Sequence, residues 1–185
     1  MSTSGYLLAP WAKTERGNHD PQVYHPALFH MLDVGHVAQL LIGPRGPRRL
    51  RTALAATLGC DDAGELANWL PLVVALHDLG KISSPFQAQN PDQVTRLTAL
   101  GLVVATAKEP QLRHQHFSMV AWSAQVIPLA PALAPLSAVV ADALGGHHGT
   151  FAPDGTLKRV RDFNAARERP PWHGLREEAV RALLD

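Results

Sequence analysis

A single cysteine, Cys60, stands in the 185 residues. That excludes a disulfide framework and fits a reducing compartment. Charged residues are sparse at 18%, against 46% hydrophobic ones, so the chain is no disordered tail and can bury a core. The formal net charge of +1 selects no partner. No apolar run approaches the ~18 residues of a membrane helix, and no charged-then-apolar leader with a cleavage site opens the chain. The expectation is a soluble, cytoplasmic protein with no membrane partner. Repeats, low-complexity tracts and convincing alternating strands are missing too. So is the Gly-rich phosphate loop G-x-x-x-x-G-K-[ST], which excludes ATP hydrolysis by that route.

Apolar spacing and turn residues give an all-α reading. Residues 1–26 are punctuated by Gly5, Pro10, Gly17, Pro21 and Pro26 and read as irregular. Residues 27–42 form a helical pattern, with His30, Val34, Val37 and Leu41 on one stripe, stopped by Gly43, Pro44, Gly46 and Pro47. A basic loop with Arg45, Arg48, Arg49 and Arg51 precedes a short helix over 50–58. Asp61 or Asp62 can cap another that ends near Trp69. Pro71 suits the first turn of a new, buried helix over 71–79, terminated by Gly80. Residues 83–91 read as loop, followed by weak helical segments to about 106. Helices are then expected over 111–127, with Phe117, Val120 and Ala121 inward, and over 136–144, with Leu136, Val140 and Leu144 at spacings of four. The stretch 149–171 is polar and basic, and 173–184 reads as a final helix.

Histidine is abundant: there are ten. Several lie inside or beside apolar helical patterns, where an imidazole with no partner is costly. Neutral imidazole is also the commonest protein ligand for transition metals. His77 and Asp78 are adjacent near the end of an apolar helix. Neighbours on a helix point about 100° apart, so both reach one site only at the helix's edge or end. The helix C-terminus carries partial negative charge, which favours a cation there. Lys81, three residues after Asp78, can face a phosphate at the same site. His30, His114, His147 and His148 have helical contexts compatible with converging on this point. One metal or two could be held.

A His-Asp dipeptide by itself means little, as His19-Asp20 shows. That pair lies in a polar stretch flanked by Gly17 and Pro21 and is rejected as a ligand pair. His25, His36, His116 and His173 are read as structural or surface histidines.

The ordered set His30, His77-Asp78, Lys81, His114 and His147-His148 resembles the HD superfamily of metal-dependent phosphohydrolases. More closely, it resembles the HD nuclease domain of the CRISPR type I effector nuclease-helicase. The local strings are Trp11-Ala12-Lys13, FHMLDVGHVA at 29–38, ALHDLGK at 75–81, RHQHFS at 113–118 and GGHHG at 145–149, in consistent order over roughly 8–150. The resemblance implies a helical bundle with the metal site between central helices. It implies one or two divalent transition-metal ions, with manganese, iron, nickel, cobalt or zinc favoured over magnesium. His30, His77 and Asp78 would hold one ion. Asp78 would bridge to a second, held also by His114, His147 and His148, and Lys81 would neutralise developing charge. Asp78 and Lys81 are thus the catalytic candidates. The implied substrate is single-stranded DNA, and the implied partners are the CRISPR surveillance complex and a helicase domain in cis or in trans.

The family pattern ends with a further aspartate beyond the tandem histidines. Asp162 and Asp185 lie in the remaining stretch without the expected helical neighbours, and Asp142 is an outside candidate. The expectation is one HD-type nuclease domain over 1–185, cut short at its C-terminal end, with the helicase portion absent. The segments 45–51 and 158–169 could form a phosphate track or be solvated loops. Trp11, Phe86, Phe151 and Trp172 are the candidates for base stacking. Two alternatives use the same residues: an HD phosphohydrolase acting on nucleotides, and a non-catalytic docking domain.

Overall fold

The computed structural model describes residues 4–15, 17–104, 112–153, 155–166, 168 and 170–184. The described residues are mainly helical, as the apolar spacing predicts, but the first segment is not irregular throughout. Strands β1 (Trp11–Thr14) and β2 (Tyr24–Pro26) form an antiparallel pair with a bulge between Trp11 and Lys13. The pair escapes pattern reading because it is short and lacks a repeating alternation. It aims the next helix: the Ala27 amide donates to the Pro10 carbonyl at 2.8 Å.

Helix α1 (Ala27–Ile42) packs on α3 (Ala63–Ala75), with α2 (Arg48–Leu58) alongside. The stripe predicted for α1 is rotated from the one observed. Ala27, His30, Met31, Ala38 and Ile42 are buried, whereas Val37 and Leu41 are 55% and 43% exposed. The spacing of 27, 31, 38 and 42 is equally helical, and the position of α3 decides between the two faces. The helices meet closely at Gly35, where an added Cβ would lie 3.0 Å from that of Ala75.

Helix α3 starts as expected, the Asp62 carboxylate accepting from the Gly64 amide at 3.0 Å. It does not break near Trp69. It runs through Pro71 to Ala75 and tightens into a 3₁₀ segment, Leu76–Lys81. Proline removes one ladder donor, but the helix continues, with Leu66, Pro71, Val73 and Ala75 buried. Residues 83–91, expected as loop, contain helix α4 (Ser84–Gln87), and α5 (Pro91–Ala99) is capped by Asn90.

Helix α6 (His114–Ala121) lies at the centre, against the 3₁₀ segment, α8 (Ser137–Gly146) and α9 (Thr156–Ala166). It continues through a wide π turn (Trp122–Val126) into α7 (Ile127–Leu129). Phe117, Val120 and Ala121 face inward as predicted. The polar stretch after the tandem histidines is partly helical, as α9, and α10 (Pro170–Leu184) closes the bundle. Met31, Leu76, Trp122, Trp172 and Leu175 are 0% exposed and form its centre. No helix among the described residues is long and apolar enough to cross a membrane.

One buried ion pair ties α10 to this core. Arg176 is 0% exposed and meets the Glu168 carboxylate at 3.0 and 2.5 Å, Gln125 Oε1 at 2.9 Å and the Ile82 carbonyl at 2.8 Å. Removing one partner of such a pair strands the other in a dry site. Arg176→Ala is expected to cost about 3–5 kcal/mol in urea unfolding. The double variant Arg176→Met, Glu168→Leu should cost less than that single change.

Candidate metal centre

The 3₁₀ geometry of Leu76–Lys81 explains why its polar residues share one site. In a 3₁₀ helix, side chains at i and i+3 eclipse. Asp78 and Lys81 have that spacing, and Lys81 Nζ lies 2.9 Å from Asp78 Oδ2. His77 precedes Asp78 and places its Nε2 3.0 Å from the same oxygen. From α1, His30 Nε2 reaches Oδ2 at 2.8 Å. The other oxygen faces the opposite side: His114 Nε2, from the first turn of α6, is 3.1 Å from Oδ1, and His147 Nε2, at the end of α8, is 3.7 Å away. His148 joins through His114, their Nε2 atoms 3.0 Å apart.

His30, His77, Asp78, Lys81, His114, His147 and His148 are therefore brought to one point. Asp78 is 4% exposed, His30 8% and Lys81 9%. Two sets of donor atoms each lie within 4.8 Å of one another: His30, His77 and Asp78, and His114, His147 and His148.

The chemistry of the donors fits a metal. His77 Nδ1 lies 2.8 Å from the Val74 carbonyl and His147 Nδ1 2.7 Å from that of Leu144. A carbonyl only accepts, so both Nδ1 atoms carry protons, and in the neutral ring the Nε2 lone pair points at the carboxylate. Lone pair facing carboxylate oxygen at 3.0 Å is repulsive unless a cation lies between them or the ring is protonated. His147 Nε2 is moreover buried with no hydrogen-bond partner among the described residues, a costly state that metal ligation removes. Imidazoles with one carboxylate suit manganese, iron, nickel, cobalt or zinc better than magnesium.

Burial pushes the Asp78 carboxyl upward, but hydrogen bonds from His114, His30 and His77, with the charge on His77, outweigh it and hold Asp78 far below the usual carboxylate range. Burial lowers His147, its bond to Leu144 opposes this, and His148 lowers it again. His148 is lowered by burial and then by His114. His116, outside the cluster, is lowered by burial and then by Arg113.

Residues the sequence did not single out hold the site in place. Gln87, 0% exposed, accepts from the Trp11 amide at 3.0 Å and donates to the carbonyls of Trp11 and Lys81, each at 2.8 Å. It fastens strand β1 to the end of the 3₁₀ segment. Ser118 Oγ accepts from the Gly80 amide at 2.8 Å. An added Cβ at Gly80 would lie 1.9 Å from the His114 carbonyl oxygen and 2.7 Å from the Ser118 amide. Glycine lets α6 come close enough for His114 to reach Asp78. Gly80 was expected merely to stop a helix, and nothing local in the sequence marks the Gln87 and Ser118 contacts.

The remaining polar candidates fall elsewhere. His19 is exposed and pairs with Asp92 at 3.1 Å, His25 pairs with Asp33 at 2.9 Å, and His173 lies 3.9 Å from Glu177. Asp162 is helical rather than in a loop, but it is exposed and pairs with Lys158 at 2.7 Å. Asp142 is exposed on α8, and Asp185 lies outside the described residues. Neither Asp142 nor Asp162 belongs to a metal-ligating group among the described residues. Of the stacking candidates, Trp11, Phe86 and Trp172 are buried, and Phe151 alone is exposed, at 75%. Phe86 instead walls the centre, its ring 5.2 Å from that of His114. Arg48, Arg49 and Arg51 belong to α2, which packs on α1 and α3. Lys158, Arg159 and Arg161 belong to α9, against α6.

The family model described as Cas3, HD domain, matches residues 11–185. The chain belongs to this family. It is 34% identical over 185 residues to the CRISPR-associated endonuclease/helicase Cas3 of Thermus thermophilus, with 100% of the chain aligned to 18% of that protein. The chain thus spans about a fifth of that relative's length. Among solved structures it is similar to a CRISPR-associated protein (TM-score 0.75, 28% identity, 99% of this chain and 20% of the other). It is also similar to the T. thermophilus Cas3 HD domain, crystallised in the presence of Ni2+ (TM-score 0.61, 25% identity, 99% and 65%). T. fusca Cas3 with AMPPNP matches as well (TM-score 0.67, 25% identity, 96% and 19%). The family resemblance and the all-α HD fold read from the sequence both hold.

Two outcomes follow. Gly80→Ala is expected to push α6 away from Asp78 and to lower bound manganese per chain at least tenfold, measured by elemental analysis after dialysis. Equal metal content would remove Gly80 from the site's design. The second concerns pH. A histidine whose folded pKa lies below its unfolded value of about 6.5 takes up its proton first in the unfolded chain. His116, His147 and His148 therefore make the metal-free protein less stable as pH falls through that value, whereas the contribution of Asp78 is present above about pH 4 and is lost only below it. Urea midpoints of the metal-free protein should drop between pH 7 and 5.5. An unchanged midpoint would contradict the assignment of these rings as neutral.

Proposed function

We propose that this domain is a metal-dependent endonuclease that hydrolyses phosphodiester bonds in single-stranded DNA during CRISPR interference. The observation that carries the reading is the placement of two donor sets on opposite oxygens of one buried carboxylate. A carboxylate approached from both sides suits a bridging ligand between two cations. In this reading His30, His77 and Asp78 would hold one ion and His114, His147 and His148, with Asp78, would hold the other. Divalent ions bound there would supply Lewis acidity toward the phosphate and a hydroxide nucleophile at neutral pH.

The chain's own residues do the rest. Carbonyl partners lock the His77 and His147 rings so that Nε2 faces the site. In the metal-free protein, hydrogen bonds from His114, His30 and His77 hold Asp78 below the usual carboxylate range. Lys81 sits where its ammonium can neutralise charge growing on the phosphate, with Nζ 2.9 Å from Asp78 Oδ2 and 5.6 Å from the Phe86 ring centre. The buried ring of Phe86, 5.2 Å from that of His114, walls that side of the site against bulk water.

The Thermus relative carries the name endonuclease/helicase. We propose that this domain likewise works with a helicase, in cis or in trans, and with a CRISPR surveillance complex that exposes the strand. The manganese-loaded protein is expected to cut a circular single-stranded DNA, with cutting lost on chelation and in Asp78→Ala. Lys81→Ala should lower kcat about 10²–10³-fold with metal content retained. Turnover of free nucleotides with no DNA cutting would point to a nucleotide phosphohydrolase. A metal-free protein that stays inactive when metal is added would point to a docking module.

A further inference from the structure

A second feature lies against the metal centre. The start of α6, the loop after α8 and the start of α9 enclose a cleft of about 260 Å³. It shares backbone with the donor sets: Arg113 directly precedes His114, and Thr150 follows His148 by two residues, a span of at most about 7 Å. The Gln115 amide fastens the two sides, donating to the carbonyls of Gly145 and Thr150 at 3.1 Å each.

Among the described residues the lining is cationic without a counter-ion. The Arg113 guanidinium meets only the Thr150 hydroxyl, at 3.4 Å, and that of Arg159 only the Thr156 hydroxyl, at 3.1 Å, among the described residues. No carboxylate lines the cleft among those residues. Each guanidinium has five donors in a planar fork, so most remain open to a phosphate. His116 also lines the cleft; it is 5% exposed, and its Nδ1 has no hydrogen-bond partner among the described residues. A buried ring nitrogen left unpaired is costly, and a polar ligand edge relieves it. At the mouth Phe151 is 75% exposed, with its ring against Gly146, where an added Cβ would come 2.6 Å from it. A phenyl ring held on one side and open on the other, beside two arginines, is a stacking platform for a base.

We propose that this cleft is a nucleotide subsite, taking the nucleotide of a DNA single strand next to the phosphate held at the metal centre. Arg113 and Arg159 bind its backbone phosphate, Phe151 stacks on its base, and His116 forms the polar floor. The proposal rests on the nuclease reading above and extends it to how the strand is positioned.

The test compares the wild-type chain with Arg159→Gln, Phe151→Ala and Phe151→Trp, which alter no proposed metal ligand. Binding of a labelled oligothymidylate is followed by anisotropy in chelator, and cutting is followed with manganese. Arg159→Gln is expected to weaken binding about five- to tenfold. It should also flatten the slope of log affinity against log salt by about 0.7, raising KM with kcat and metal content unchanged. Phe151→Ala should weaken binding about tenfold, Phe151→Trp should restore it, and the loss should vanish on an abasic oligonucleotide. Wild-type affinity and salt slope in Arg159→Gln and Phe151→Ala would overturn the subsite while leaving the nuclease reading intact. A wild-type protein that binds the oligonucleotide but never cuts it would sink the nuclease reading, and anisotropy of the variants would still decide the cleft. A wild-type protein that neither binds nor cuts sinks both.

Discussion

The centre of this domain depends on one buried carboxylate. Asp78 is almost wholly out of water, and an isolated anion there is prohibitively costly. The fold offsets that cost by surrounding it with nitrogen donors from α1, the 3₁₀ segment, α6 and the end of α8. Elements distant in sequence are bound together by a common need to solvate the same group. The arrangement has more donor capacity than one carboxylate uses, as His147 Nε2, unpaired among the described residues, shows. That surplus is the donor chemistry a cation can use.

The supporting structure follows from the same demand. Histidines must arrive with Nε2 inward, so His77 and His147 each donate Nδ1 to a carbonyl three residues back. The 3₁₀ segment must present Asp78 and Lys81 on one side, which an i, i+3 spacing provides. Helix α6 must approach within reach, which the absence of a side chain at Gly80 allows. Gln87 then fixes the segment from behind by satisfying backbone groups of Trp11 and Lys81 that would be buried and unpaired.

The cleft beside the centre shows a related logic with opposite charge. Around Asp78 positive and polar groups converge on an anion that belongs to the protein. Around Arg113 and Arg159 they converge on space. The exposed ring of Phe151 and the His116 nitrogen, unpaired among the described residues, make that space suited to a ligand with a phosphate and an aromatic base.

The convergence of the candidate residues on one point was legible in the sequence because their chemistry is carried by residue type and order. Histidines inside apolar helical patterns, joined to an aspartate with a lysine three residues on, have few other uses. The helical class was legible because apolar spacing persists when its details are misjudged. Three things were decided only by tertiary structure. The buried face of α1 was set by where α3 lies, since its sequence supports two adjacent stripes. The continuation of α3 through Pro71 depended on packing outweighing one lost hydrogen bond. The roles of Gly80, Gln87 and Ser118 depended on partners far away along the chain, and local sequence carries no record of a neighbour that only folding brings near.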